Sequence, residues 1–142
     1  MYEKIFGLLA ILILGFAGVK CFADQFVPEF DKMQIVRCDY EQTIYNQDDS
    51  VVSTSRQHRL FRIDDAYKKI YNQREPIDYI INFDESKIEY NSQSMNDDYI
   101  SREHSVIDRK EGTFTSEAQI MYDNDAFGNR HSKSVGTCQI LQ

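Results

Sequence analysis

The chain is poor in the residues that most enzymes and metal sites need. It holds three histidines, three cysteines and six glycines in 142 residues, and no tryptophan. There is no Gly-x-Ser-x-Gly elbow to raise a nucleophilic serine, and no glycine-rich loop to cradle a phosphate. Zinc sites usually show a close ligand pair. Here His58, His104 and His131 lie 46 and 27 residues apart, so with Glu103 they read as scattered surface groups, and no metal is expected. Positive charge is also scarce: 16 Lys and Arg against 23 Asp and Glu leave a net charge of −7. That balance argues against nucleic acid, whose phosphates need a basic face, and against adsorption on anionic lipid. A basic protein partner suits an acidic surface better.

One long apolar run is present, at the start. In MYEKIFGLLAILILGFAGVKCFADQF, Lys4 precedes the run Ile5 to Val19, and Cys21-Phe22-Ala23 follows it. This is the order of a secretory signal peptide, residues 1–23, cut after Ala23. Fifteen apolar residues fall short of the roughly 20 that span a bilayer comfortably. An uncleaved N-terminal anchor is the alternative. The expected product is residues 24–142, one small domain in the periplasm or secreted, with no membrane attachment after cleavage. It would keep two cysteines, Cys38 and Cys138, and in an exported protein a lone pair is most simply a disulfide. A loop of about 100 residues closed that way contributes up to ~4.7 kcal/mol in the chain-entropy model.

Sustained helical periodicity is missing after residue 23. Ser-Arg-Glu-His (101–104) and Ser-Glu-Ala-Gln (116–119) offer one helical turn each and no more. Extended runs dominate instead: 33–41, 43–54 broken by an Asn/Asp-rich turn, 56–63, and a closing strand from Val135. Residues 122–135 read as a loop or long hairpin.

Three times an apolar residue runs into Asp, polar residues follow, and apolar residues resume. The instances are Ile63-Asp64 to Ile70-Tyr71, Phe83-Asp84 to Ile88-Glu89-Tyr90, and Ile107-Asp108 to Thr113-Phe114. Aspartate opens turns because its carboxylate accepts from backbone N–H groups two residues on. Gly112 supplies the positive φ that closes the third turn. Each unit predicts a hairpin corner, so the Asp108, Arg109, Lys110 and Glu111 cluster is a solvated turn and not an acid–base site. Asp123 and Asp125 begin a calcium-like spacing, but Phe127 and Ser134 stand where oxygen ligands belong. The fold class that results is all-β: a small antiparallel barrel or sandwich of about seven or eight strands, closed by one disulfide.

The segment I-D-R-K-E-G-T-F (107–114) followed by G-T-C (136–138) resembles a group of small exported bacterial β-sheet proteins. They share an apolar-Asp-Arg-x-x-Gly-x-aromatic hairpin and a final strand with Gly-x-Cys. The plan is also similar, in architecture alone, to the periplasmic lysozyme inhibitors. The resemblance implies a fold and no catalytic chemistry.

The function expected from the residues is therefore that of an exported, non-enzymatic binding protein. It would be an inhibitor or immunity-type partner of an envelope enzyme or toxin, and it would need no cofactor. A lipocalin-like carrier of an apolar ligand and a structural envelope protein are the alternatives. Tyrosine is enriched in interface hot spots, and Tyr71, Tyr79 and Tyr90 flank the middle hairpins, so they are the candidate binding face.

Overall fold

The computed structural model describes residues 28–123 and 128–142. The apolar run at 1–23 and most of the loop at 123–129 lie outside them. Of the unit Met1–Asp31, the described residues are 28–31, which enter a 3-10 turn at Phe30–Lys32. The unit Lys32–Gln142 carries every described strand.

Those strands are β1 (Gln34–Asn46), β2 (Val51–Asp64), β3 (Lys69–Asn72), β4 (Glu75–Pro76), β5 (Tyr79–Phe83), β6 (Lys87–Met95), β7 (Tyr99–Asp108), β8 (Thr113–Tyr122) and β9 (Arg130–Ile140). They form one antiparallel sheet in the order β4-β3-β2-β1-β9-β8-β7-β6-β5. Every neighbour is consecutive in the chain except at the seam, where the terminal strands β1 and β9 pair from Val36↔Ile140 to Asn46↔Arg130. The Cys38–Cys138 disulfide crosses that seam between directly opposed residues, 4.0 Å apart at Cα.

The sheet has to curl. Nine flat strands at about 4.8 Å spacing would hold the outer edges of β4 and β5 nearly 40 Å apart. Yet β4 ends at Pro76 and β5 begins at Tyr79, and three peptide links reach about 11 Å. The result is a half-barrel, drawn together at the end holding the β2–β3, β5–β6 and β7–β8 turns and open at the other. A curled sheet of this kind, rather than a sandwich, resolves the choice the sequence left.

Alternation sets the core. Val36, Cys38 and Tyr40 of β1 are buried while Arg37, Asp39 and Glu41 between them are exposed. Strand β8 repeats the pattern with Phe114, Ser116 and Ala118. Ile63, Ile70, Phe61, Ile88, Tyr90, Ile107 and Phe114 join Val36 and Cys38 in one apolar cluster near the drawn-in end. Each fully buried ring or aliphatic group stabilises by roughly 1.5–3 kcal/mol. Gly136 is needed in this layer. It faces Tyr40 on β1 and Phe114 on β8, whose rings meet 4.9 Å apart. A Cβ at Gly136 would come within 2.5 Å of Tyr40 Cα.

Three sequence expectations change here, one being the closing strand, which begins at Arg130 and not at Val135. Residues 101–104 and 116–119 form no helical turn; they lie in β7 and β8, where they pair with each other from Arg102↔Gln119 to Ser105↔Ser116. Cross-strand pairing and burial override a weak local preference. Residues 51–64 are one continuous strand, not two extended runs.

Candidate functional site at the open end

The three aspartate corners all lie at the drawn-in end, and each works as its sequence predicts. Asp64 accepts the Tyr67 N–H, Asp84 accepts from Ser86 and Lys87, and Asp108 accepts from Lys110 and Glu111, all between 2.7 and 3.1 Å. The flanking apolar residues pair across each hairpin: Ile63↔Ile70, Phe83↔Ile88 and Ile107↔Phe114. Gly112 takes φ +65°. The Asp84 carboxyl is held well below the usual range, first by the Ser86 hydroxyl, then by Asn82 and the Lys87 and Ser86 amides.

Arg109 has a larger role than a turn residue. Its guanidinium grips both Asp65 oxygens at 2.7 and 2.9 Å and donates to the Asp84 carbonyl at 3.0 Å. It also lies over the Phe83 ring, 5.8 Å from the centroid. One side chain thereby ties three corners together across 44 residues of chain. The charged knot at 108–111 is an architectural clasp.

Above the apolar layer, the lumen is crossed by an ion pair that the sequence did not reveal. Arg59 of β2 meets Glu103 of β7 in a bidentate contact, Nη2–Oε2 2.8 Å. Arg59 also donates to the Tyr40 hydroxyl at 3.0 Å and stacks over the Tyr40 and Phe114 rings. Ser105 donates to Glu103 at 2.7 Å, and its hydroxyl oxygen lies 3.1 Å from that of Ser116. Burial alone would push the Glu103 carboxyl up, but the Arg59 hydrogen bonds and charge, with Ser105 and Ser116, hold it below the ordinary range. The buried Tyr90 hydroxyl, beside Arg59 and Ser105, is pushed up to about 12, chiefly by burial.

The open end is different in character. Its three connections are the β1–β2 turn, the β6–β7 turn and the β8–β9 loop. They carry Asp48 and Asp49, Asp97 and Asp98, and Asp123, all exposed. Asp48 accepts from the Ser50 hydroxyl and amide at 2.6 and 3.0 Å, which hold it ionised below its ordinary value. Asn96 organises the second turn by accepting the Asp98 and Tyr99 amides. The Asp123 amide bonds the Asp98 carbonyl at 3.0 Å, so two of the acidic loops are joined. His131 reaches Asp49 at 3.2 Å and stacks on Tyr45.

The candidate residues fall as follows. Cys38 and Cys138 form the disulfide. Tyr79 is 72% exposed, but Tyr71 and Tyr90 are 5% and 1% exposed, so the three tyrosines share no surface. Tyr90 alternates with Ile88 on the buried face of β6, which is why its ring fills the core. Glu103 is engaged by Arg59, His104 by Asn91 and Glu89, and His131 by Asp49. Among the described residues no three His, Cys, Asp or Glu side chains gather as a metal site would require. Among them, too, no helix is long and apolar enough to cross a membrane. The disulfide is compatible with an exported protein.

Comparison with protein-family models and with curated protein sequences gives no match for this chain.

Proposed function

We propose that the protein is an exported, non-enzymatic binding protein, periplasmic or secreted, that engages a basic protein through the open end of its half-barrel. Its partner class would be an envelope enzyme or toxin that it inhibits or neutralises. One observation carries the reading: all three connections at the open end present exposed aspartates, Asp48, Asp49, Asp97, Asp98 and Asp123. Such a rim steers a basic surface toward it and fixes its orientation. The scaffold behind the rim is stiff, because the seam is disulfide-bonded and Arg59–Glu103 braces the lumen.

The apolar-carrier alternative receives no comparable support, since Phe61, Tyr90, Phe114 and the isoleucines fill the apolar part of the lumen. The test is affinity capture from native envelope and culture supernatant with the tagged protein as bait, at low and at physiological salt. One basic protein recovered stoichiometrically at both supports the reading. Recovery of nothing at either salt overturns it.

A further inference from the structure

Strand β2 is far longer than the strand beside it. Its outer side is covered by β3 only from Phe61 to Asp64, while residues 51–58 are all exposed. The Leu60 carbonyl points away from β1, because it accepts the Gln73 amide at 2.8 Å. By the two-residue alternation of an antiparallel ladder, His58, Arg56 and Thr54 also turn their N–H and C=O groups outward, where none of the described strands lies opposite. Folded proteins guard such edges with proline, bulges or inward charges, or else use them. Here Ser53 to Leu60 contains no proline and pairs with β1 without a register shift, and its one inward charge, Arg59, is neutralised by Glu103.

We propose that this edge pairs with the same edge of a second copy, β2 to β2 antiparallel, about a two-fold axis at Ser55. The charges select that register. An axis at Arg56 would set Arg56 against Arg56, and like charges directly opposed destabilise a sheet. An axis at Thr54 would leave Thr54 with Thr54 as the one outward-facing pair before the bulge residue Val52 is reached, since β1 shifts register between Ile44↔Ser53 and Tyr45↔Val51. An axis at Gln57 would need Leu60, whose carbonyl is already taken by Gln73. With the axis at Ser55, Thr54 faces Arg56 of the second copy and Arg56 faces Thr54 of the second copy, two such pairs before Val52 falls opposite His58 at the end of the ladder. Ser53 faces Gln57 of the second copy, and no like charges stand directly opposed. The two nine-stranded sheets then join into one. The antiparallel pairing sends the two β1–β2 turns to opposite ends, so the acidic rims stay open and this inference stands apart from the binding reading.

The test is sedimentation velocity on the intact chain as isolated from producing cells, its N-terminus established by mass spectrometry and its disulfide intact. A dimer is expected at micromolar concentration. Thr54→Pro removes an outward N–H and the 3.4 Å contact between the Thr54 and Thr43 hydroxyls but no hydrogen bond of the β1–β2 ladder, so it should leave the fold as judged by circular dichroism and give a monomer. Thr54→Glu places a carboxylate against Arg56 of the second copy twice per dimer and should tighten association about tenfold; Thr54→Arg should weaken it by a similar factor. A wild-type chain that stays monomeric up to roughly 100 µM overturns the proposal. So does a dimer that Thr54→Glu weakens or Thr54→Arg leaves unchanged, and this charge pair decides the question even if Thr54→Pro fails to fold.

Discussion

The Arg59 guanidinium holds the Glu103 carboxylate through the inside of the half-barrel, from β2 to β7, four strands apart in the sheet. The two groups are 20% and 15% exposed, so each depends on the other for its solvation. Removing one leaves a charge in a place where water cannot fully replace the partner. Glu103→Gln is expected to cost about 2–4 kcal/mol in urea unfolding. Replacing both with apolar residues, Arg59→Met with Glu103→Leu, should recover most of that loss.

The same pair sets an acid limit. Glu103 is held below its ordinary 4.5, and Asp65, beside Arg109, is held below its ordinary 3.8. A carboxyl whose folded value is depressed binds protons more readily when the chain unfolds. Its contribution is therefore complete above about pH 4.5 and is lost as the pH falls through the lowered folded values. Thermal unfolding should show the midpoint constant from pH 7 to about 5 and falling below that. On the alkaline side, Tyr90 is raised from 10.0 to about 12, so stability should decline between those values. Tyr90→Phe should remove that alkaline decline, and Glu103→Gln should flatten the acid one.

The seam disulfide closes 100 residues of chain. Serine at both Cys38 and Cys138 is expected to cost up to ~4.7 kcal/mol, mainly by freeing the unfolded chain. Because β1 and β9 also pair through eleven residue positions, the reduced protein should keep its strand content by circular dichroism while unfolding at lower urea.

Gly136→Ala puts a methyl group against the Asp39 carbonyl and the Tyr40 Cα. Both are backbone atoms of the central strand, so the seam must shift. A loss of about 1–3 kcal/mol is expected, as for overpacked cores, and Tyr40→Ala should not relieve it.

Local features were readable from the residues because their causes are local. An aspartate satisfies amides two and three residues away, so Asp64, Asp84 and Asp108 announced their turns without help from the rest of the chain. Cys38 and Cys138, near opposite ends of the strand-rich part of the chain, pointed to the disulfide, though not to whether the terminal strands pair or face each other. What could not be read depended on register. Whether Tyr71, Tyr79 or Tyr90 faces water is set by a pairing partner, and a one-residue slip turns a strand over. Arg59 with Glu103, and Arg109 with Asp65, each join residues 44 apart, and no spacing rule marks them. The acidic open end likewise gathers aspartates from turns at 48–49, 97–98 and 123, which only the up-and-down course of the strands brings to one end.

The most direct measurement on the functional account compares two baits at physiological salt. One is the wild-type protein; the other carries Asn at Asp49, Asp97, Asp98 and Asp123, leaving Asp48 to its turn. Captured protein from native envelope and culture supernatant is quantified by mass spectrometry. The account predicts a basic protein recovered by the wild type and reduced by tenfold or so with the Asn bait, about 1.4 kcal/mol of lost attraction. Equal recovery by both baits would contradict it.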